Sequence, residues 1–310
     1  SHALEQNRVG GCRFNGAVFT NLTQDHLDYH ITMDNYFKAK ALLFEHLKEG
    51  DFAVINADDE FGDRFISVVP EGVKVYTYGV RQQSDVMARN INFSLNGAEF
   101  TLVENAKEHK VNLHMNGMFS VYNVLAAVTA ALAIGIDIET ALKALQNVKG
   151  VAGRFEVVVK KPLVIVDYAH TPDGLENVLK SAREITPEDG KLICLFGCGG
   201  DRDATKRPKM GAIAEKLADK IVITSDNPRT EDPQTIITDI IAGLKSENTE
   251  SVIVEHDSGA AIALLKTIAN NNDVVLIAGK GHEDYQILKD RTIHFDDREE
   301  ARKVFEVSVI

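Results

Sequence analysis

The chain has 310 residues, of which 44% are hydrophobic and 26% charged, and its formal net charge is -12. That length can supply two domains with ordinary cores, and the composition is that of a soluble globular chain, which excludes a disordered one. The acidic surplus argues against nucleic acid or an anionic membrane as a main partner, so an anionic ligand needs local Arg, Lys, backbone N–H groups or a metal.

In chain order, the first stretch, "SHALEQNRV", lacks an initiator Met and is read as the start of a fragment or processed form. "GAVFTNL" and "FAVINADD" read as strands with a helical pattern between them. "ARNINFSLNGAEFTLVE" alternates through Ile91, Phe93 and Leu95, then Asn96-Gly97, then Phe100 and Leu102. Asn-Gly between alternating runs is a strong hairpin signal. Val111, Leu113 and Met115 continue the alternation, which predicts a three-stranded antiparallel meander. "VYNVLAAVTAALAIG" and "ETALKALQNV" follow as helices, the first of them buried. The longest apolar run, "VLAAVTAALAIGI", is too short to span a bilayer, and no signal peptide is recognisable.

"KGVAGRFE" is a Gly-rich break, and the domain boundary is set there, giving domains 1–150 and 151–310. Beyond it, apolar runs ("LVIVDYAH", "LICLFGCGG", "KIVITSDNP", "SVIVEHD", "VVLIAGKGHED") alternate with helical patterns such as "MGAIAEKLA", "IITDIIAGL" and "GAAIALLKTIA". That grammar predicts a parallel, doubly wound sheet and an α/β fold class. Cys12, Cys194 and Cys198 are a sparse, odd set, which suits structural thiols in a reducing cytosol better than a metal site.

Ligands of an open parallel sheet bind beyond the carboxyl ends of its strands. One such tip carries Asp167, Tyr168, His170 and Thr171. The next carries "GCGGDRD" with Arg202, and the third Asp226, Asn227 and Arg229. A later one carries Gly279, Lys280, Gly281, His282 and Glu283. Any one tip can be an ordinary turn; four together point to a site. "GCGGDRD" is not G-x-G-x-x-G, so a dinucleotide is weakly supported, and its glycines read as room for a ligand near the backbone. In the first half, Tyr36, Lys40, Leu43, Phe44 and Leu47 share one face of a helical pattern. Lys40 is then either a snorkelling lysine or a desolvated amine of lowered pKa, able to take up carbon dioxide as a carbamate that suits Mg²⁺. "NLTQDHLDYH" clusters Asp25, His26, Asp28 and His30, which fits either a turn or a divalent metal beside phosphate.

"FTNLTQDHLDYH", "YFKAKALLF", "INADDE", "GRFE", "VDYAHTPDGLE", "FGCGGDRD", "KRPKMGAIAE", "DNPRTEDP" and "AGKGHEDYQ", in this order through nearly the whole chain, resemble the Mur ligase family. The family has a UDP-binding N-terminal domain, a central ATPase domain with a P-loop and a Rossmann-like C-terminal domain. This chain carries no G-x-x-x-x-G-K-[ST]. The resemblance therefore implies the C-terminal part of the central domain, a mixed sheet with helices and the meander, followed by the whole Rossmann-like domain. It implies an ATP-dependent ligase of peptidoglycan precursor synthesis, cytoplasmic and monomeric. That enzyme joins meso-2,6-diaminopimelate to the D-glutamyl carboxylate of a UDP-N-acetylmuramoyl dipeptide through an acyl phosphate.

By the same resemblance, Lys40 matches a carbamylated lysine and His26 a histidine at the Mg²⁺ site, and Gln6 and Arg8 match contacts to the UDP-muramoyl substrate. Asn123, Arg154, Asp167 and His170 match positions near ATP, whereas Ser120 stands where Asn is common. Asp226, Asn227, Pro228 and Arg229 match the diaminopimelate motif, in which the Arg229 fork pairs the distal carboxylate. Arg202 matches a ligand-carboxylate contact, and Gly279 and Glu283 match amino-acid contacts. The alternatives are a non-catalytic module that binds diaminopimelate or product, a lysine-adding or folate-polyglutamating relative, and a nicotinamide oxidoreductase.

Overall fold

The computed structural model describes residues 1–94, 97–245 and 251–306, without the side chain of Asp28. It divides into two compact units, Ser1–Lys149 and Gly150–Ile310.

The first unit contains α1 (His2–Glu5), β1 (Gly16–Phe19), α2 (Leu27–His30), α3 (Met33–Glu45), β2 (Phe52–Asn56) and α4 (Gly62–Ser67). Then come β3 (Lys74–Gly79), β4 (Val86–Ser94), β5 (Gly97–Glu104), β6 (Lys107–Leu113), α5 (Met118–Ala133) and α6 (Ile138–Leu145). The six strands form one sheet in chain order. Neighbours are parallel from β1 to β4, and β4, β5 and β6 run antiparallel to one another as the expected meander. Gly97 pairs with Ser94 inside the ladder; Leu95 and Asn96, which carry the rest of the turn signal, lie outside the described residues. The strand β3 was not legible, because its first half is exposed and does not alternate.

The helix α3 begins where Thr32 accepts a hydrogen bond from the Asn35 N–H at 3.2 Å, an N-cap that satisfies an orphan donor. Its Tyr36, Phe37, Ala41 and Phe44 pack with Phe19, Ile55 and Phe65. The apolar α5 buries Val121, Val124, Leu125 and Val128 against residues of the meander, including Phe100 and Leu102.

The second unit contains β7 (Glu156–Lys160), β8 (Leu163–Asp167), α7 (Pro172–Glu184), β9 (Leu192–Phe196), a 3-10 turn (Ala204–Lys206), α8 (Arg207–Leu217), β10 (Lys220–Ile223) and α9 (Pro233–Ile241). It closes with β11 (Val252–Val254), α10 (Ser258–Ile268), β12 (Val274–Ala278), β13 (Tyr285–Ile287), β14 (Thr292–His294) and α11 (Asp297–Glu306). The sheet order is β11-β10-β9-β12-β8-β7, with β13 and β14 as a separate hairpin. Five strands are parallel, as expected. The edge strand β7 is antiparallel to β8 and was not anticipated, because it starts directly after the Gly-rich break that was read only as a boundary. Every residue of β8, β9 and β12 is buried, which is why these strands read as unbroken apolar runs. At about 1.5–3 kcal/mol for each large apolar side chain, this triplet is the rigid centre of the unit.

After β8 the chain skips a place to β9, then proceeds outward to β10 and β11, and β12 later fills the gap. That reversal opens a crevice at the carboxyl ends of β8, β12 and β9. Among the described residues, no helix is long and apolar enough to cross a membrane.

Candidate active site

In the second unit, the strand tips form one connected polar cluster. Asp167 ends β8, and its buried carboxylate accepts from the N–H of Phe155 and of Ala169, each at 2.7 Å. Burial raises its pKa, while these N–H groups, Arg154 and His170 pull the other way. Asp167 thereby clamps the "GRFE" loop to the sheet. Arg154 is exposed, with its guanidinium 4.5 Å from the centre of the Tyr168 ring. His170 is half-buried; its Nδ1 lies 2.9 Å from the Tyr168 carbonyl, and its own carbonyl accepts from Lys206 Nζ.

The Tyr168 hydroxyl leads to Glu283, at 3.4 Å from Oε1. The other oxygen, Oε2, accepts from Asn227 Nδ2 at 3.2 Å. Asn227 is buried, and its Oδ1 accepts from Lys280 Nζ at 3.1 Å and from the Ile287 N–H at 2.8 Å. Asp226 lies beside it, 2.8 Å from the same ammonium. Four sequence candidates, Asp226, Asn227, Gly279 and Glu283, thus converge through a residue that sequence reasoning saw at a strand tip but gave no role, Lys280.

Arg229 adopts a left-handed backbone, φ 53°, which is uncommon for a side chain of this size. Its N–H donates to the Ile287 carbonyl on β13. Nη1 donates to the carbonyls of Gly200, at 2.9 Å, and of Asn227, at 3.3 Å. Among the described residues, Nη1 is the part of this guanidinium that is bonded, which leaves the Nε–Nη2 edge of the fork. Arg202 is exposed, with Nη1 donating to the Asp201 carbonyl.

The "GCGGDRD" glycines permit a close approach within the unit itself. A Cβ on Gly200 would sit 2.0 Å from the Pro228 carbonyl oxygen, and one on Gly199 would sit 2.8 Å from Arg229 Nη1. The close approach they permit is to the β10 tip, with buried Pro228 at its centre, and the Gly200 N–H donates to the Asn227 carbonyl. Sequence reading also missed Arg207. Buried on α8, it reaches Glu231 and Asp239, both at 2.9 Å, and the Gly199 carbonyl at 3.3 Å. The sign was available: "KRPK" puts a cation at the start of a helix, where the dipole disfavours it unless acids answer it.

Beneath the cluster lies a cavity of about 10 Å³ bordered by Thr224, Asp226, Ser258, Lys280 and Asp297. The Asp297 carboxyl is wholly buried, which pushes its pKa up to about 7 against the pull of Lys280.

In the first unit, Lys40 is partly buried on α3, with Nζ 3.3 Å from the Asn21 carbonyl and 5.0 Å from the centre of the Tyr36 ring. Burial lowers its pKa, opposed by Asp59 and Asp25. His26 is exposed, 3.5 Å from Asp25, with its ring edge-on to the same Tyr36. Lys40, His26 and Asp25 therefore share one neighbourhood. His30 does not join it as an open ligand: it is buried, stacked on Tyr36, 2.9 Å from the Ser1 hydroxyl and 3.3 Å from Glu5. Among the described residues, no three His, Cys, Asp or Glu side chains converge as a metal cage. Gln6 bonds the Tyr29 hydroxyl, and Arg8 is exposed just past α1. Asn123 is exposed on α5; its neighbour Tyr122 donates to Asp58 at 2.7 Å, and Ser120 turns inward to the Asn116 carbonyl. Asp58 also accepts from the N–H groups of Val80, Arg81 and Gln82. Burial works against this carboxylate, yet these donors hold its pKa below the usual range.

Residues 1–131 match a family model described as the Mur ligase middle domain, and residues 153–281 match one described as the Mur ligase, glutamate ligase domain. The chain is 51% identical over 308 residues to the UDP-N-acetylmuramoyl-L-alanyl-D-glutamate–2,6-diaminopimelate ligase of Thermosynechococcus vestitus, covering 97% of this chain and 61% of that protein. A solved structure of an enzyme of the same name is 39% identical with a TM-score of 0.64, covering 98% of this chain and 63% of the other. The MurF ligase of Thermotoga maritima, solved in complex with ADP, shares the fold at a TM-score of 0.72 and 19% identity, covering 96% of this chain and 63% of that one.

Proposed function

The chain belongs to the Mur ligase family, and from that premise we propose that it is the larger part of an ATP-dependent ligase adding meso-2,6-diaminopimelate to UDP-N-acetylmuramoyl-L-alanyl-D-glutamate. It spans about 61% of the length of the curated relative described above. The observation that carries the reading is the β10 tip, where, among the described residues, Arg229 keeps one guanidinium edge unbonded beside Asn227, which in turn bonds Glu283. Diaminopimelate differs from lysine by a second, distal carboxylate. A planar Nε–Nη2 edge pairs such a group bidentately, and Glu283 answers the adjacent ammonium. Arg202 and Gly279 complete the amino-acid site. A lysine ligand would leave the Arg229 edge without its anion.

Amide formation needs little covalent chemistry from the protein. Phosphoryl transfer from ATP to the D-glutamyl carboxylate gives an acyl phosphate. The neutral amine of the amino acid then forms the C–N bond, the C–O bond to phosphate breaks, and the amine proton passes to solvent. The second unit holds that amine in place by its two charged ends. Arg154, Asp167 and His170 belong to the nucleotide side, with Asp167 acting through the Phe155 and Ala169 N–H groups. In the first unit, Gln6 and Arg8 meet the UDP-muramoyl substrate, and Asn123 the nucleotide.

Mg²⁺ commonly keeps one or two protein oxygens and takes the rest from phosphates and water. The residues present fit that mode and not a full protein cage. Lys40, lowered by burial, would carry the carbamate oxygens, with His26 nearby. Bound there, the ion would offset phosphate charge during transfer. We propose that the protein acts in the cytoplasm, where its proposed substrates are found, and acts as a monomer.

Phosphate release from ATP by the full-length protein tests the reading. Release should require both the UDP-muramoyl dipeptide and meso-diaminopimelate; equal release with L-lysine overturns the amino-acid assignment. A second reading, a binding module that turns nothing over, is favoured for the chain by itself, because it carries no G-x-x-x-x-G-K-[ST]. Phosphate release by the 310-residue chain unaided would dismiss that.

A further inference from the structure

We propose that Lys280 is a positioning residue that decides which end of the Asn227 amide faces the amino-acid site. This deepens the proposed function and rests on it for the identity of the ligand.

Lys280 is 3% exposed, among the most buried cations of the chain. It sits between Gly279, φ 135°, and Gly281, φ 55°. Both conformations are those glycine adopts freely. A Cβ on Gly281 would meet the Gly153 carbonyl oxygen at 2.6 Å and Tyr168 at 2.7 Å. The backbone is thus bent sharply on both sides of one lysine, and its side chain runs inward beneath the strand tips. There, Nζ meets three acceptors from two elements: Asp226 Oδ1 at 2.8 Å and Asn227 Oδ1 at 3.1 Å after β10, and the Tyr285 carbonyl at 3.1 Å on β13. Two of these contacts are hydrogen bonds and the third is an ion pair, which suits an ammonium, a group with donors and no acceptor.

The consequence falls on Asn227. An amide presents an acceptor at one end and donors at the other, and its two orientations have nearly the same shape. Here both inward neighbours, Lys280 Nζ and the Ile287 N–H, can only donate. The amide oxygen must therefore face inward and Nδ2 outward, where it bonds Glu283. That division makes the site readable: Asn227 offers N–H groups, which suit a ligand carboxylate, and it orients Glu283, which suits a ligand ammonium. Turned over, the same amide would set its oxygen against the Glu283 carboxylate and against the incoming acid. Lys280 also pairs with Asp226 and lies close enough to Asp297 to act on its carboxyl, so its charge offsets an acidic nest that would otherwise repel an anionic ligand. The role is distinct from that of Arg229: Lys280 is buried below the site and acts through Asn227.

The test uses the 310-residue chain, calorimetric titration with meso-diaminopimelate and with L-lysine, and a crystal structure of the Lys280→Met variant. Lys280→Met is expected to weaken diaminopimelate by about tenfold or more, the scale of a hydrogen bond to a charged group, and lysine far less. The ratio of the two dissociation constants should collapse, which general loosening of the fold would not produce, and the crystal should show the Asn227 amide displaced from Glu283. A folded Lys280→Met variant with the wild-type ratio, or with Asn227 unmoved, overturns the proposal. Where Lys280→Met does not fold, Lys280→Leu, which likewise offers no donor to Asn227, should give the same fall in the ratio, and an unchanged ratio there counts equally against it. If the wild-type chain itself shows no preference for diaminopimelate, the proposed function fails, and the position of Asn227 in the variant crystal still decides the role of Lys280.

Discussion

Asp297 offers a quantitative test of how the second unit is built. It opens α11, is 5% exposed, and borders the cavity below Lys280. Burial pushes its carboxyl from the ordinary 3.8 to about 7; Lys280 lowers it, and Asp226, Asp296 and Glu283 raise it. A carboxyl raised in the folded state keeps its proton where the unfolded chain has lost it. Its favourable contribution is therefore present below about pH 4 and is lost as the pH rises through about 7. Each pKa unit is worth about 1.4 kcal/mol, so the loss across that window is about 4 kcal/mol. The substitution Asp297→Asn keeps the shape and removes the titration. Urea unfolding of the second unit, followed from pH 4 to 8 in both proteins, isolates the effect, because titrating groups remote from residue 297 contribute equally to each. The stability difference should swing by about 4 kcal/mol towards the variant as the pH rises. Parallel curves would show that the carboxyl is not held in a dry site, and the packing described beneath Lys280 would be wrong.

Other outcomes follow from the same geometry. Gly200→Ala puts a methyl 2.0 Å from the Pro228 carbonyl and should cost about 1–3 kcal/mol in denaturant unfolding while displacing the β10 tip; an unperturbed melt would contradict the stated approach. Asp58→Ala strips three backbone N–H groups and the Tyr122 hydroxyl of their acceptor. It should lower the stability of the first unit by about 2–4 kcal/mol, with hydrogen exchange rising first at residues 80–82. Supplied with ¹³C-labelled bicarbonate, the wild-type chain should show a carbamate carbonyl resonance that is absent from Lys40→Ala; the same signal in both would remove Lys40 from the proposed Mg²⁺ site.

The second unit was the more legible of the two, for a physical reason. The strands β8, β9 and β12 are buried on both faces, so their apolar runs are continuous, and the polar residues that end each run mark the tips directly. Asp226, Asn227, Arg229, Gly279 and Glu283 could be gathered in this way before any coordinates. Lys280 could not be given its role, because a lysine after a glycine looks the same whether it points to solvent or inward; only the three acceptors around Nζ distinguish the two. A Cβ on Gly200 of "GCGGDRD" would meet the Pro228 carbonyl, a long-range contact that no local pattern encodes. In the first unit, the helical period exposed Lys40 among apolar neighbours, and burial does lower its pKa. His30 was grouped with His26 by proximity in sequence, yet the αL turn at His26, φ 54°, leaves one ring outside and carries the other into the Tyr36 stack. The strands β3 and β7 escaped because one is half exposed and the other hides behind a glycine break.

A crystal of this chain soaked with meso-diaminopimelate tests the proposed role of Arg229 without an intermediate step. The distal carboxylate is expected against the Nε–Nη2 edge of Arg229, with the neighbouring ammonium at Glu283. A well-ordered ligand whose distal carboxylate is held by other groups, with Arg229 turned away, would contradict it.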